Sequence, residues 1–207
     1  LENVQLGKYR PYYENALRAE LAADKVKISA HMDYVAADNI MLISGLGLEF
    51  GGLNVNGPDG ADKVLVPDFS VSETEVNIKD KTVLVGRCAS KGAVIPLTRR
   101  KDGSINLQDF LATAPPVKEA PPEEQEQTED QAAPPAAWQV LVKAVDFAEY
   151  EVSFTDQVPE DPVELTMDQL HLTAENVTTS PGKECTVGLD LRFNKSGKVK
   201  VQGSAGL

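Results

Sequence analysis

Residues 140–156 read VLVKAVDFAEYEVSFTD, and apolar residues alternate with polar or small ones through most of this stretch. Successive side chains of a strand point to opposite faces, so the alternation predicts a strand with one buried face. Residues 64–80, VLVPDFSVSETEVNIKD, align with it without a gap, and seven of the seventeen positions are identical. The identities include polar pairs such as Glu73 with Glu149, which indicates a duplicated β unit.

The same alternation continues through most of the chain, between short turn-forming segments rich in Gly, Pro, Asn and Asp. This spacing predicts a mainly β, mostly antiparallel fold. We expect a strand over residues 25–34, and we expect the glycines of residues 45–52 to mark a bulge or a close backbone approach. Pro11 and the apolar spacing after it predict one short N-terminal helix over about residues 11–17.

Residues 114–137 divide the chain. They are rich in Pro, Glu, Gln and Ala and contain a single branched apolar residue, so they predict a disordered linker. The predicted organisation is a first β unit over residues 1–113 and a second over residues 138–207, related to residues 64–113 and cut short at its end.

The charge and hydropathy of the chain limit its partners. The formal net charge is −12, which disfavours binding to a phosphate backbone. No apolar run is long enough to span a bilayer. The chain begins with Leu1 and ends within a strand pattern, so we expect a piece of a longer protein, with any membrane contact made by segments outside it.

Residues 98–107, TRRKDGSINL, place three cations before an Asp-Gly pair. Asp-Gly is a strong hairpin signal, so the stretch predicts a strand, a tight turn and a second strand, with a further single turn over residues 109–112. The cations are interpreted either as solvated charges at a strand end or as headgroup contacts made by Arg99 and Arg100. No aromatic platform accompanies them, which disfavours nucleic acid.

No catalytic or metal-binding constellation stands out. His31 and His171 each lack ligand-type neighbours at metal spacing, so both are expected to be structural, with no metal and no cofactor. No sequence motif of a hydrolase or nucleotide-binding loop occurs, and a glycan hydrolase would need a carboxylate pair that the sequence does not single out. Cys88 and Cys185 fit either a disulfide or two free thiols.

The chain resembles the AsmA-like family of bacterial envelope proteins, and it looks closest to large members with repeated β units. The resemblance is carried by residues 85–111 (VGRCASKGAVIPLTRRKDGSINLQDFL), 138–156 (WQVLVKAVDFAEYEVSFTD), 163–179 (VELTMDQLHLTAENVTT) and 7–34 (GKYRPYYENALRAELAADKVKISAHMDY). Residues 22–25, AADK, depart from it, because the family usually has a glycine turn there.

The resemblance implies a non-enzymatic periplasmic segment whose parent chain is anchored in the inner membrane of a Gram-negative bacterium. Similar proteins curl a twisted sheet into an apolar groove that carries phospholipid acyl chains, which would serve outer-membrane lipid homeostasis. The predicted groove residues are Val76, Ile78, Val83, Val85, Ile95, Leu97, Val152, Phe154, Leu165, Leu170 and Leu172. The set of alternate residues that faces the groove is left open by the sequence. The alternative is a structural or interaction module with a closed β core and no ligand.

Overall fold

The computed structural model describes residues 2–4, 6–35, 40–112 and 138–206, with the side chains of residues 6–31, 42–112 and 138–206. In these residues ten strands form one sheet, which confirms the predicted mainly β, mostly antiparallel class. The strands are β1 (Glu2–Val4), β2 (Glu20–Val35), β3 (Ile40–Asn56), β4 (Lys63–Asn77), β5 (Thr82–Lys91), β6 (Val94–Arg99), β7 (Gln139–Asp156), β8 (Val163–Thr178), β9 (Glu184–Phe193) and β10 (Gly197–Gly206).

The strands follow one another across the sheet in the order β1-β2-β3-β4-β5-β7-β8-β9-β10. All pairs are antiparallel except those of β5 and β6 with β7. β6 continues the line of β5, because Lys91 lies opposite Ala148 and Val94 lies opposite Glu151 at an unchanged register. The two predicted β units therefore meet within one sheet, along β7. The linker predicted over residues 114–137 lies outside the described residues.

The N-terminal helix is present but shorter than predicted. A 3-10 helix over Leu6–Tyr9 leads into α1 (Arg10–Tyr13), which has Pro11 in its first turn. The predicted helix over residues 11–17 was therefore wrong in its bounds: Leu17 instead pairs with Leu111 in an isolated bridge.

Two rows of backbone kinks cross the long strands. The first, called the Glu73 row, has left-handed backbone at Gly45, Glu73 and Asn176. The second, called the Glu149 row, has left-handed backbone at Gly52, Gly92, Glu149 and Gln169. Pro67 lies beside Gly92 in this row. Along β4 the rows are six residues apart, or about 20 Å. The prediction of bulges at the glycines of residues 45–52 is confirmed, with register shifts between Ile43 and Leu48.

On both sides of each kink, the apolar side chains of a strand lie on the same face of the sheet. The N–H groups of Gln139, Glu151 and Gln157 donate to β5/β6 or residues beside them, and the Ala148 carbonyl accepts from Gly92. In a regular strand, residues an odd number apart bond in opposite directions. From residue 139 to 148, and again from 148 to 151, the separation is odd, and all three residues still bond in the same direction. Each row therefore resets the alternation by one residue.

The stretch from Thr98 to Leu107 forms a turn, but not a hairpin of two strands. β6 ends at Arg99, and Gly103 has a φ of +86°, which confirms the turn. The predicted second strand was wrong. After a single bridge between Arg99 and Ile105, the chain enters a 3-10 helix over Asn106–Phe110, which also replaces the predicted turn over residues 109–112.

Buried Asn106 favours that helix over a strand. Its side-chain amide donates to Asp62 Oδ1 and to the Pro96 carbonyl, and its Oδ1 accepts from the Thr98 N–H. A buried amide without partners is costly, so these three bonds hold residues 106–110 against the end of β6. Phe110 is also buried, and its carbonyl accepts from the Arg18 N–H, next to β2.

Candidate functional site: the apolar face

One face of the sheet is apolar along its full width. Between the two kink rows, two rows of directly opposed residues cross eight strands. The first row is Val26, Phe50, Phe69, Ser90, Phe147, Leu172, Leu189 and Val201; the second is Ile28, Leu48, Val71, Cys88, Val145, Ala174, Val187 and Gly203. We call this surface, with its continuation past both kink rows, the apolar face.

Between the two kink rows, the opposite face is polar. The row between those two consists of Lys27, Glu49, Ser70, Ala89, Asp146, Thr173, Gly188 and Gln202. On this face Lys27 Nζ lies 2.7 Å from Glu49 Oε1, and His171 Nε2 lies within hydrogen-bond distance, 2.9 Å, of Asp146 Oδ1. A cavity of about 600 Å³ is lined mainly by residues of this face, such as Lys27 and Asp146, and also by Phe50, Phe69 and Ser90. This arrangement is typical of a face in water.

The structure places ten of the eleven predicted groove residues on the apolar face. Past the Glu73 row, Val76 lies opposite Val83, and Val85 lies opposite Val142. Past the Glu149 row, the pairs join β6, β7 and β8. They are Ile95 with Val152, Leu97 with Phe154, Phe154 with Leu165, and Tyr150 with Leu170. Leu172 lies between the two kink rows, opposite Phe147.

Ile78 is the exception. β4 ends at Asn77, and Ile78 lies in the turn that follows it, with 44% of its surface exposed. The prediction that it lines the same surface was wrong because the strand pattern ends one residue earlier. The Asn77 side chain caps this turn: its Nδ2 donates to Asp80, and its Oδ1 accepts from the Asp80 N–H.

No second layer of strands faces the apolar face in the described part of the chain, where every strand belongs to one sheet. Among the described side chains, six apolar ones are buried, and four of the six are alanines. They are Ala19, Ala23, Ala93, Ala174, Val26 and Phe110. A closed sandwich instead buries large side chains from two inner faces. Most of the large apolar side chains on this face are half-buried.

Aromatic rings and desolvated polar groups lie at its centre. Phe147 and Tyr150 stack across the Glu149 kink with ring centroids 5.8 Å apart, which places them on the same face of the sheet. Burial raises the pKa of the Tyr150 hydroxyl, while its hydrogen bond with Ser90 acts in the opposite direction. Burial also raises the pKa of the Cys88 thiol. Both shifts indicate poor hydration, which favours neutral and apolar groups.

Several central residues of the face were missing from the sequence prediction, chiefly Phe50, Phe69, Phe147, Tyr150 and Leu189. The signal that could have included them is the spacing of apolar residues. Along β7 the spacing is two within each block and three across each kink, as between Phe147 and Tyr150. A spacing of three between apolar residues in a strand pattern indicates a bulge, after which the apolar side chains remain on the same face.

The two predicted headgroup residues lie in different surroundings. Arg99 follows Leu97 at the end of the apolar face, and its Nη1 is 3.5 Å from Asp156 Oδ2. Arg100 instead contacts the 3-10 helix, with Nη2 2.6 Å from Asp109 Oδ2. It also borders a separate cavity of about 560 Å³. Only Arg99 is thus placed beside the predicted groove residues.

Both cysteines are free and half-buried, which settles the alternatives that the sequence left open. Cys88 is on β5 and Cys185 is on β9, and these two strands are three strand spacings, or about 14 Å, apart. In the described residues, no group of three or more His, Cys, Asp or Glu side chains is arranged to hold a metal ion. None of the described helices has the length and hydropathy needed to cross a membrane.

A scan of protein-family models, a search of curated proteins and a search of solved structures each returned no match to this chain.

Proposed function

We propose that this chain binds phospholipid acyl chains on its apolar face, as a non-enzymatic segment of an AsmA-like periplasmic protein that conducts lipid for outer-membrane homeostasis. The observation that carries the proposal is the continuous apolar face, which no strand of the described residues covers. It extends over both kink rows and across eight strands. Contiguous apolar surface of this kind binds apolar partners, because burial releases it from water.

The chemistry of the face suits an acyl chain. Lipid tails need continuous apolar surface and no directional contact, and the two central rows consist mainly of Val, Leu, Ile and Phe. Each methylene group transferred from water to such a surface contributes about 0.8 kcal/mol. Arg99, at the end of the face, is 46% exposed and its ion pair with Asp156 is long, so a phosphate group can compete for it.

The alternative is a structural or interaction module with a closed core. The small number of buried apolar side chains argues against it, since a closed core would bury residues such as Phe147 and Leu172 fully. A closed core would also need a covering layer, and the described residues form one sheet.

The test is to purify the chain without detergent, extract it with organic solvent and identify lipid by mass spectrometry. Adjacent residues on opposite faces give matched variants. Ile95→Asp places a charge on the apolar face, and Val94→Asp places it on the polar face of the same strand. Phe154→Asp and Ser153→Asp form a second such pair on β7.

We expect phospholipid in the parent chain, loss of most of it in Ile95→Asp and Phe154→Asp, and retention in Val94→Asp and Ser153→Asp. Circular dichroism checks that every variant is folded. A folded parent that carries no lipid, or equal loss in both members of each pair, would reject lipid binding by this face.

A further inference from the structure

The edge strand β10 offers a second surface, at the margin of the apolar face. In the described residues it pairs with β9 alone, and all ten of its residues are exposed. The β9–β10 register is unbroken from Gly197 opposite Phe193 to Gly206 opposite Glu184. No kink interrupts either strand, so β10 is a straight edge that a further strand could extend.

The free backbone groups of this edge can be assigned. In an antiparallel sheet each residue bonds to only one of its two neighbouring strands. Thr166, a polar-face residue of β8, accepts from the Asn194 N–H at the end of β9, so polar-face residues join β8 to β9. Apolar-face residues must therefore join β9 to β10. The polar-face residues of β10 direct their N–H and C=O groups outward, and they are Lys198, Lys200, Gln202 and Ser204.

The charge of the edge differs from that of the chain. Residues 194–206 contain Lys195, Lys198 and Lys200 and no acidic residue, in a protein with a net charge of −12. Lys198 lies opposite another cation, Arg192, which bonds to Asp168. Lys200 Nζ lies 3.5 Å from a carboxylate oxygen of Asp190 on β9, so of the two polar-face lysines of β10 only Lys198 lacks a carboxylate opposite it on that strand.

The apolar face also stops abruptly at this edge. Val199 and Val201 are 42% and 54% exposed, whereas Leu189, the β9 neighbour of Val201, is half-buried. A strand added beside β10 would cover both valines and extend the two faces of the sheet. Such a strand must place apolar residues on one face and groups that balance lysine on the other.

We infer that the β10 edge binds an extended partner segment that alternates apolar and acidic residues. Its backbone pairs with the outward groups of Lys198, Lys200, Gln202 and Ser204, its acidic residues face the lysines, and its apolar residues cover Val199 and Val201. A second copy of this chain fits less well, because two β10 edges would bring their lysines onto one face.

The probe is a short blocked peptide that alternates valine and glutamate, added to the whole chain and followed by amide hydrogen exchange in NMR spectra. In the free chain we expect the N–H groups of residues 198, 200, 202 and 204 to exchange fast, and those of residues 199, 201 and 203 to exchange slowly. Peptide binding slows the first set. Binding without this change would overturn the inference, as would no binding.

Gln202→Pro removes one outward N–H and leaves the bonds of Val201 and Gly203 to β9 in place. We expect affinity for the peptide to fall at least about tenfold, which corresponds to about 1.4 kcal/mol. Lys198→Glu with Lys200→Glu should reverse the preference toward a valine–lysine peptide.

A valine–glutamate peptide that is N-methylated along one edge gives a test on unaltered protein, and it should lose binding. Equal binding of the methylated peptide would mean that charge alone attracts it, and would overturn strand pairing. Binding to anionic vesicles in place of the peptide, with the vesicles slowing none of the outward amides, would point to a membrane surface instead.

Discussion

The long strands β3, β4, β7 and β8 differ from β9 and β10 in how they keep one face apolar. β9 alternates strictly, with Cys185, Val187, Leu189, Leu191 and Phe193 two residues apart. β7 skips one residue at each kink row and remains apolar on the same face over 18 residues. The comparison teaches that kink rows, which carry left-handed residues on some of their strands, let a long strand bend twice without exposing its apolar side chains.

The duplicated unit repeats this device. Glu73 and Glu149 occupy equivalent positions in residues 64–80 and 140–156, and their φ values are +54° and +57°. A non-glycine residue in this conformation costs roughly 1–2 kcal/mol relative to right-handed backbone. The shared glutamate therefore marks a backbone feature that both units retain at some cost.

The largest effect should come from filling the space at a kink. Gly86 is buried, and a methyl group there would overlap with Cβ of Glu73 on the neighbouring strand. We expect Gly86→Ala to lower the free energy of unfolding by about 1–3 kcal/mol, measured by urea denaturation.

The straight edge supplies the control for that change. A Cβ on Gly203 of β10 meets nothing within 4 Å, so Gly203→Ala should be neutral or stabilise the chain by up to about 1 kcal/mol. Similar destabilisation by both substitutions would show that the kink is not what makes Gly86 sensitive.

A smaller effect of opposite sign should come from relieving the backbone at the kink. Glu73→Gly removes a side chain from left-handed backbone, and we expect the free energy of unfolding to rise by about 1 kcal/mol. Glu75→Gly, two residues along the same strand in ordinary strand backbone, should lower it by roughly 0.5–1 kcal/mol. Thermal and urea unfolding of the pair measure both values. Equal signs for the two glutamates would remove the distinction between kinked and regular positions.

The sequence predicted the β class and most of the strands, because alternation is a local signal. Ten of the eleven predicted groove residues lie on the apolar face, but of its two central rows only Leu172 was predicted. The sequence also contains a signal for the kinks, because Val142 and Val145, and likewise Phe147 and Tyr150, are three residues apart instead of two. The parallel pairing of β5 and β6 with β7 could not be predicted, since it joins residues far apart in sequence. The helix at Asn106–Phe110 was missed because it depends on Asn106 meeting Asp62 from a distant loop.

The most direct test is a scan of β7 with a photoreactive amino acid, one position at a time from Val145 to Phe154, in the presence of phospholipid. The account predicts strong cross-links to lipid at residues 145, 147, 150, 152 and 154, and weak ones at residues 146, 148, 151 and 153. The change from odd to even cross-linked positions across Glu149 tests both the kink and lipid binding by the apolar face. Cross-links spaced by two straight through residue 149, or equally strong at all positions, would contradict it.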